Sequence, residues 1–243
     1  MWNTKWKGAC AESIGPLHIK QNLPMQDSHY LLLTKKYFIA TVSDGLGSKA
    51  HSDFGSRIAC RLFVKLAKHW ISEIEKTSED LVSLFVKKWI SRIEKSPFNI
   101  NECSATFLGA IYYQKNLYLF QLGDGMISCI FDNESKNIVM SDSKDESFSN
   151  MTKSLKNGVL PKDWILKTVP ADDLKSVFLC SDGISDDLRK GADIAFVSEL
   201  TDQYLTKSSG KIKRDMKNWI SNWPVPRHGD DKTAVFVCKK GSA

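Results

Sequence analysis

Three apolar runs in this chain stop abruptly at an aspartate beside glycine, and that repeated punctuation constrains the fold more than any other feature. Tyr37-Phe38-Ile39-Ala40-Thr41-Val42-Ser43 runs into Asp44-Gly45-Leu46-Gly47, and Val177-Phe178-Leu179-Cys180 into Ser181-Asp182-Gly183. More weakly, Tyr118-Leu119-Phe120-Gln121-Leu122 runs into Gly123-Asp124-Gly125. Short apolar runs bounded by turn residues read as buried strands. A single Asp-Gly is an ordinary turn dipeptide. Three at strand ends, with a further pair at Gly229-Asp230-Asp231 before the last apolar run, exceed what turns alone require. Carboxylates gathered in a dry site repel one another unless a cation neutralises them. Oxygen donors without cysteine or histidine favour Mg²⁺ or Mn²⁺ over zinc or copper. Asp27, which closes a loop, and Asp186 complete the candidate carboxylates.

The intervening sequence predicts alternating blocks of strand and helix. A first strand is expected within Trp6 to Ile14, followed by a loop from Gly15 to Asp27 marked by one glycine and two prolines. Tyr30 to Leu33 and Tyr37 to Ser43 form a hairpin about Lys35-Lys36. Phe54, Ile58, Leu62 and Leu66 recur every fourth residue, which predicts a helix capped by Ser52 or Asp53. Thr77-Ser78-Glu79-Asp80 has capping-box spacing and opens a second helix that Pro97 stops. Strands are expected at Ala105–Tyr113, Leu117–Leu122, Met126–Phe131, Trp164–Val169, Ser176–Cys180 and Thr233–Cys238, and helices at Asp193–Leu205 and Ile212–Trp219. The polar stretch 141–157 suits a surface loop or flap. Segregated blocks of this kind indicate an α+β domain with helices outside antiparallel sheets. We expect one domain over residues 1–240 and an unstructured end at 241–243.

Composition narrows the function classes. With 42% hydrophobic residues in 243, the chain can bury a core without disulfides. Its six cysteines are scattered with no C-x-x-C pair, so they read as reduced core residues of a cytoplasmic protein. No signal peptide is recognised and no apolar run has membrane-spanning length, so no membrane partner is expected. The net charge of +6 and the cluster Lys207 to Arg214 raise nucleic acid as a partner. Without interleaved aromatics or a recognition motif, a solvated face that favours acidic or phosphorylated partners is the better account. Gly45-Leu46-Gly47-Ser48-Lys49-Ala50 formally fits a dinucleotide fingerprint. Asp44 would then set negative charge against the pyrophosphate, and helix follows helix, so that reading is rejected.

Taken in order, these motifs resemble those of the type 2C metal-dependent serine/threonine protein phosphatases, particularly their small bacterial branch. Gly15-Pro16-Leu17-His18 leading to Pro24-Met25-Gln26-Asp27 resembles that branch's Gly-x-x-His and Pro-x-Gln-Asp elements, and Asp44-Gly45-Leu46-Gly47 its Asp-Gly-x-Gly signature, followed by Ser52 and Gly55. Ser104-Ala105-Thr106, Gly123-Asp124-Gly125, Asn150-Met151-Thr152, Ser181-Asp182-Gly183-Ile184-Ser185-Asp186 and Asp230-Asp231-Lys232-Thr233 follow in family order. The resemblance implies a central β-sandwich of two mostly antiparallel sheets flanked by antiparallel helix pairs. It implies two core Mg²⁺ or Mn²⁺ ions on Asp44, Asp182, Asp230 and the Gly45 carbonyl, with Asp27 orienting water. Asp124, with Asp182 and Asp186, matches the third-metal site of bacterial members.

The activity so implied is hydrolysis of phosphoserine and phosphothreonine in proteins, by direct attack of a hydroxide bridging two metals. The implied partners are a phosphorylated protein and a cognate serine/threonine kinase, and a monomer is expected. Leu46 stands where several eukaryotic members have a histidine proposed as general acid, and Asp231 where the family has asparagine. Asp231 is expected to be a neighbour of the metals rather than a ligand. The family's phosphate-binding arginine is absent, with Asn22 at its spacing, which leaves His18 or Lys20 to bind phosphate. Those gaps keep open a weak or inactive pseudophosphatase that binds a phosphorylated partner or kinase. A metal-dependent hydrolase of small phosphate esters is the third reading.

Overall fold

In the computed structural model, residues 5–73, 76–141, 153–225 and 229–240 are described. The Asn150-Met151-Thr152 element, most of the expected flap and the 241–243 end lie outside them. Ten strands form two five-stranded antiparallel sheets. One sheet has the order β1 (Trp6–Ser13), β10 (Lys232–Lys239), β9 (Leu174–Cys180), β6 (Met126–Phe131), β7 (Ile138–Ser141). The other has the order β2 (Ser28–Leu33), β3 (Tyr37–Ser43), β4 (Phe107–Tyr113), β5 (Asn116–Leu122), β8 (Ile165–Pro170).

The sheets pack face to face. Phe38, Ala40 and Val42 of β3 meet Val177 and Leu179 of β9 and Val235 and Val237 of β10 in the central core. Helices cover both outer faces. Helix α2 (Ser52–Trp70) and helix α3 (Ser78–Glu94) lie on the β3–β4–β5 side, where Phe63, Phe85 and Trp89 join Ile39, Phe107 and Phe120. On the other side α5 (Asp193–Tyr204) and α6 (Ser209–Ser221) bring Tyr204, Ile212 and Met216 against Ala9, Phe178 and Phe236. Because each sheet is dry on both faces, the inner strands read as continuous apolar runs rather than alternating ones. Burying a phenylalanine the size of Phe63 contributes about 2–3 kcal/mol.

Local chemistry accounts for the connections. The Thr34 hydroxyl accepts from the Lys36 and Tyr37 amides and tightens the β2–β3 turn. Gln114 and Lys115 both adopt positive φ (46° and 66°), the two-residue hairpin turn that matches strand twist. Thr77 and Asp80 form the expected capping box of α3. By contrast, α2 is preceded by His51 with no side-chain cap, so neither Ser52 nor Asp53 caps it. The expected loop after β1 contains α1 (Pro16–Gln21). Pro16 sits in its first turn, where no amide donor is needed, and Asn22 ends it in the left-handed conformation (φ 55°). Short strand β7 and the one-turn helix α4 (Asp182–Ser185) also exceed the sequence reading.

Candidate metal centre

All the singled-out carboxylates gather at one end of the sandwich, because antiparallel register puts those strand ends together. β3 ends before Asp44 and β9 before Ser181-Asp182, while Asp230 precedes β10, whose Ala234 pairs with Cys180. Asp124 lies in the β5–β6 turn, where Gly123 and Gly125 both have φ of 89°, which a side chain would strain. Asp27 directly precedes β2.

Backbone and hydroxyl contacts fix Asp44. The Ser43 hydroxyl donates to the Thr106 carbonyl (2.6 Å), the Asp44 amide to the Thr106 hydroxyl (3.1 Å), and the Thr106 amide to the Asp44 carbonyl (2.8 Å). Gly45 is packed so closely that a Cβ there would lie 2.8 Å from the Gln26 carbonyl oxygen. The serine before Asp182 has a comparable task. Its hydroxyl donates to Asp27 Oδ2 (2.7 Å) and accepts from the Thr233 amide (3.0 Å), which locks β2, β9 and β10 around the site. The sequence shows a serine before both Asp44 and Asp182 but not its partner. Both serines brace the site.

Carboxylate oxygens of Asp44, Asp124 and Asp182 come within 4.8 Å of one another. A cavity of about 150 Å³ is lined by these three with Gly45, Leu46, Gly47, Thr106 and Asp230. Asp186, at the end of α4, is close enough to raise the Asp182 carboxyl but does not line this cavity. Leu46 contributes an apolar wall, its amide held by the Ser104 carbonyl (3.1 Å). A second cleft of about 490 Å³, lined by Leu17, His18, Gln21, Leu23 and Gly229, adjoins the first at Gly47 and Asp230. His18 is buried there, while Lys20 is exposed and lines neither space. Asn22 serves as the end cap of α1.

The electrostatics are those of crowded anions. Burial, followed by the charges of Asp27 and Asp182, raises the Asp44 carboxyl well above the usual range. Burial and the charges of Asp124 and Asp230 push Asp182 up to about 6. Asp27 is pushed up to about 7 by burial, against the opposing hydrogen bonds of Asp44 and Ser181. Asp27 Oδ1 and Asp182 Oδ1 are buried without a hydrogen-bond partner. Asp182, with its orphaned oxygen, lines the small polar cavity beside Asp44, Asp124 and Asp230, a donor set that fits a hard divalent cation.

Over residues 14–223 the sequence matches the family described as protein phosphatase 2C. The chain belongs to the protein phosphatase 2C family. Asp230 lies beyond the matched span, so its place at the cavity rests on the geometry. A search of curated protein sequences finds no match. Among solved structures, the chain resembles a C. elegans sex-determining protein with a TM-score of 0.67 at 15% identity, covering 99% of this chain and 66% of that one. It resembles the catalytic domain of the serine/threonine protein phosphatase PstP in complex with two manganese ions (TM-score 0.61, 15% identity, 97% and 98% covered). The S. agalactiae serine/threonine phosphatase is similarly close (TM-score 0.64, 14% identity, 97% and 100% covered). At these identities the likeness establishes the shared fold, a two-sheet α+β sandwich between helix pairs.

Proposed function

We propose that this protein 2C phosphatase domain is a Mg²⁺- or Mn²⁺-dependent phosphomonoesterase acting on phosphoserine and phosphothreonine in proteins. The observation behind the reading is the convergence of Asp44, Asp124 and Asp182 within 4.8 Å, in a cavity that Asp230 also lines. Asp44, Asp182, Asp230 and the Gly45 carbonyl would hold two core cations, and Asp124 with Asp182 and Asp186 a third. The PstP neighbour, whose structure holds two manganese ions, is consistent with the two core cations. Bound there, divalent cations supply a nucleophile from water at neutral pH and neutralise charge on phosphoryl oxygens.

The chain's own residues do the rest. Asp27, held by Ser181 through Oδ2 with Oδ1 left unpartnered, would orient water at the cations. Leu46 offers no proton, so protonation of the leaving serine or threonine oxygen falls to water or to another group. Among the described residues neither lysine nor arginine lines the two spaces, and His18 is the cation-capable side chain beside them. Among the described residues no cysteine lines either space, in keeping with direct attack and no phosphoenzyme. We assign the protein to the cytoplasm as a monomer working opposite a serine/threonine kinase.

The test is release of phosphate from a phosphothreonine peptide with Mn²⁺, with EDTA, and by Asp44→Asn. Turnover that needs Mn²⁺ and Asp44 supports the enzyme. Folded, Mn²⁺-loaded protein that binds phosphopeptide without turnover would make it a pseudophosphatase, the reading that Leu46 and the missing arginine keep open. Hydrolysis of nucleotides or sugar phosphates alone would shift the substrate class.

A further inference from the structure

Asp231 is a carboxylate that the proposed metal ligation leaves unused, yet it is 1% exposed. Its Oδ1 accepts the Gly15 amide (2.7 Å) and its Oδ2 the Gln26 amide (2.6 Å), lengths typical of charge-assisted bonds. The His18 imidazole is buried beside it. Its Nδ1 makes no aligned hydrogen bond and lies 3.0 Å from Asp231 Oδ2. The Leu17 amide donates to the Gly229 carbonyl (3.0 Å) along the same seam. Gly15 and Gln26 are the two ends of the segment that carries α1 along the second cleft, and Gln26 is bonded directly to Asp27. On its other side Asp231 adjoins Asp230, whose Oδ1 accepts the Asp231 amide (2.8 Å).

We propose that Asp231, assisted by His18, is a positioning residue whose carboxylate clamps both ends of the 15–26 segment to Asp230 and thereby sets Asp27 against Asp44. The inference rests on the phosphatase reading of the metal centre. Two amides approach two different oxygens of one side chain, and that geometry demands a carboxylate. An asparagine, the residue the family resemblance places here, offers one oxygen and turns an NH₂ toward the other amide, donor against donor. The departure from the family residue thus holds a segment that an amide could hold at only one end.

Asp231→Asn in the full chain tests this. In metal-free protein, amide hydrogen exchange at Gly15 or Gln26 should speed up by about ten-fold or more, with β3 and β9 unchanged. Mn²⁺ affinity by calorimetry should fall about ten-fold. Phosphopeptide turnover should lose kcat with KM little changed. In an Asp27→Asn background, Asp231→Asn should cost less than about two-fold further, because it acts through Asp27. If Asp231→Asn does not fold, His18→Asn replaces it, with a smaller loss expected in the same directions. Unchanged exchange and Mn²⁺ affinity, or losses that multiply in full with Asp27→Asn, would overturn the clamp. Wild-type protein that binds no Mn²⁺ would overturn the metal reading instead, while the exchange measurement still decides the clamp.

Discussion

Removing a carboxylate from the metal centre should stabilise the metal-free protein, and Asp182→Asn is the sharpest case. Burial and neighbouring anions move the Asp182 carboxyl from an ordinary 3.8 to about 6. The folded state therefore holds this proton to higher pH than the unfolded chain does. Its contribution to stability is fully present below pH 3.8 and is lost as pH rises through about 6. The displacement corresponds to ~3 kcal/mol at pH 8, or roughly 6–12 °C in melting temperature for a chain of this size. Asp27, raised to about 7, extends the same loss to higher pH. Asparagine does not titrate. The difference between Asp182→Asn and wild type should grow from near zero at pH 4 to that magnitude at pH 8. Thermal melts in EDTA across this range measure it, and Mn²⁺ should stabilise wild type far more than the variant. A variant no more stable than wild type at pH 8 would refute the reasoning, because the carboxylates would then not be in mutual repulsion.

Other substitutions probe the supports of the site. Gly45→Ala drives a methyl against the Gln26 carbonyl and the Ser52 backbone, so Mn²⁺ affinity by calorimetry should drop sharply. Ser181→Ala removes the hydroxyl between Asp27 and Thr233 and should cost about 1–3 kcal/mol in denaturant melts, through groups left unsatisfied. Phe63→Ala, far from the site between α2 and its sheet, should cost about 3–5 kcal/mol while leaving the Mn²⁺ affinity of the folded fraction intact.

The parts of this architecture that could be read from sequence are those where side-chain chemistry and chain pattern coincide. Asp44, Asp124 and Asp182 stood out because an apolar run ended at each, and the dry sandwich makes those runs continuous. The helix pair α2–α3 was legible from its fourfold apolar spacing and from the Thr77–Asp80 box. Helix α1 was not, because six residues opened by proline show no apolar period. Four-residue α4 and β7 are too short for any period to declare itself. The task of Asp231 was hidden for a different reason. Its partners Gly15 and Gln26 lie more than two hundred residues away along the chain, and the β1–β10 pairing with the packing of the two sheets brings them near. Ser181 likewise gains its meaning from Asp27, 154 residues distant.

The central claim is that the carboxylates at this end of the sandwich hold divalent cations. Anomalous diffraction at the manganese edge, from crystals grown with Mn²⁺, addresses it directly. The account predicts peaks between Asp44, Asp182 and Asp230, beside the Gly45 carbonyl, and their loss in Asp44→Asn. Well-ordered crystals with no peak there, or with peaks that persist in Asp44→Asn, would contradict it.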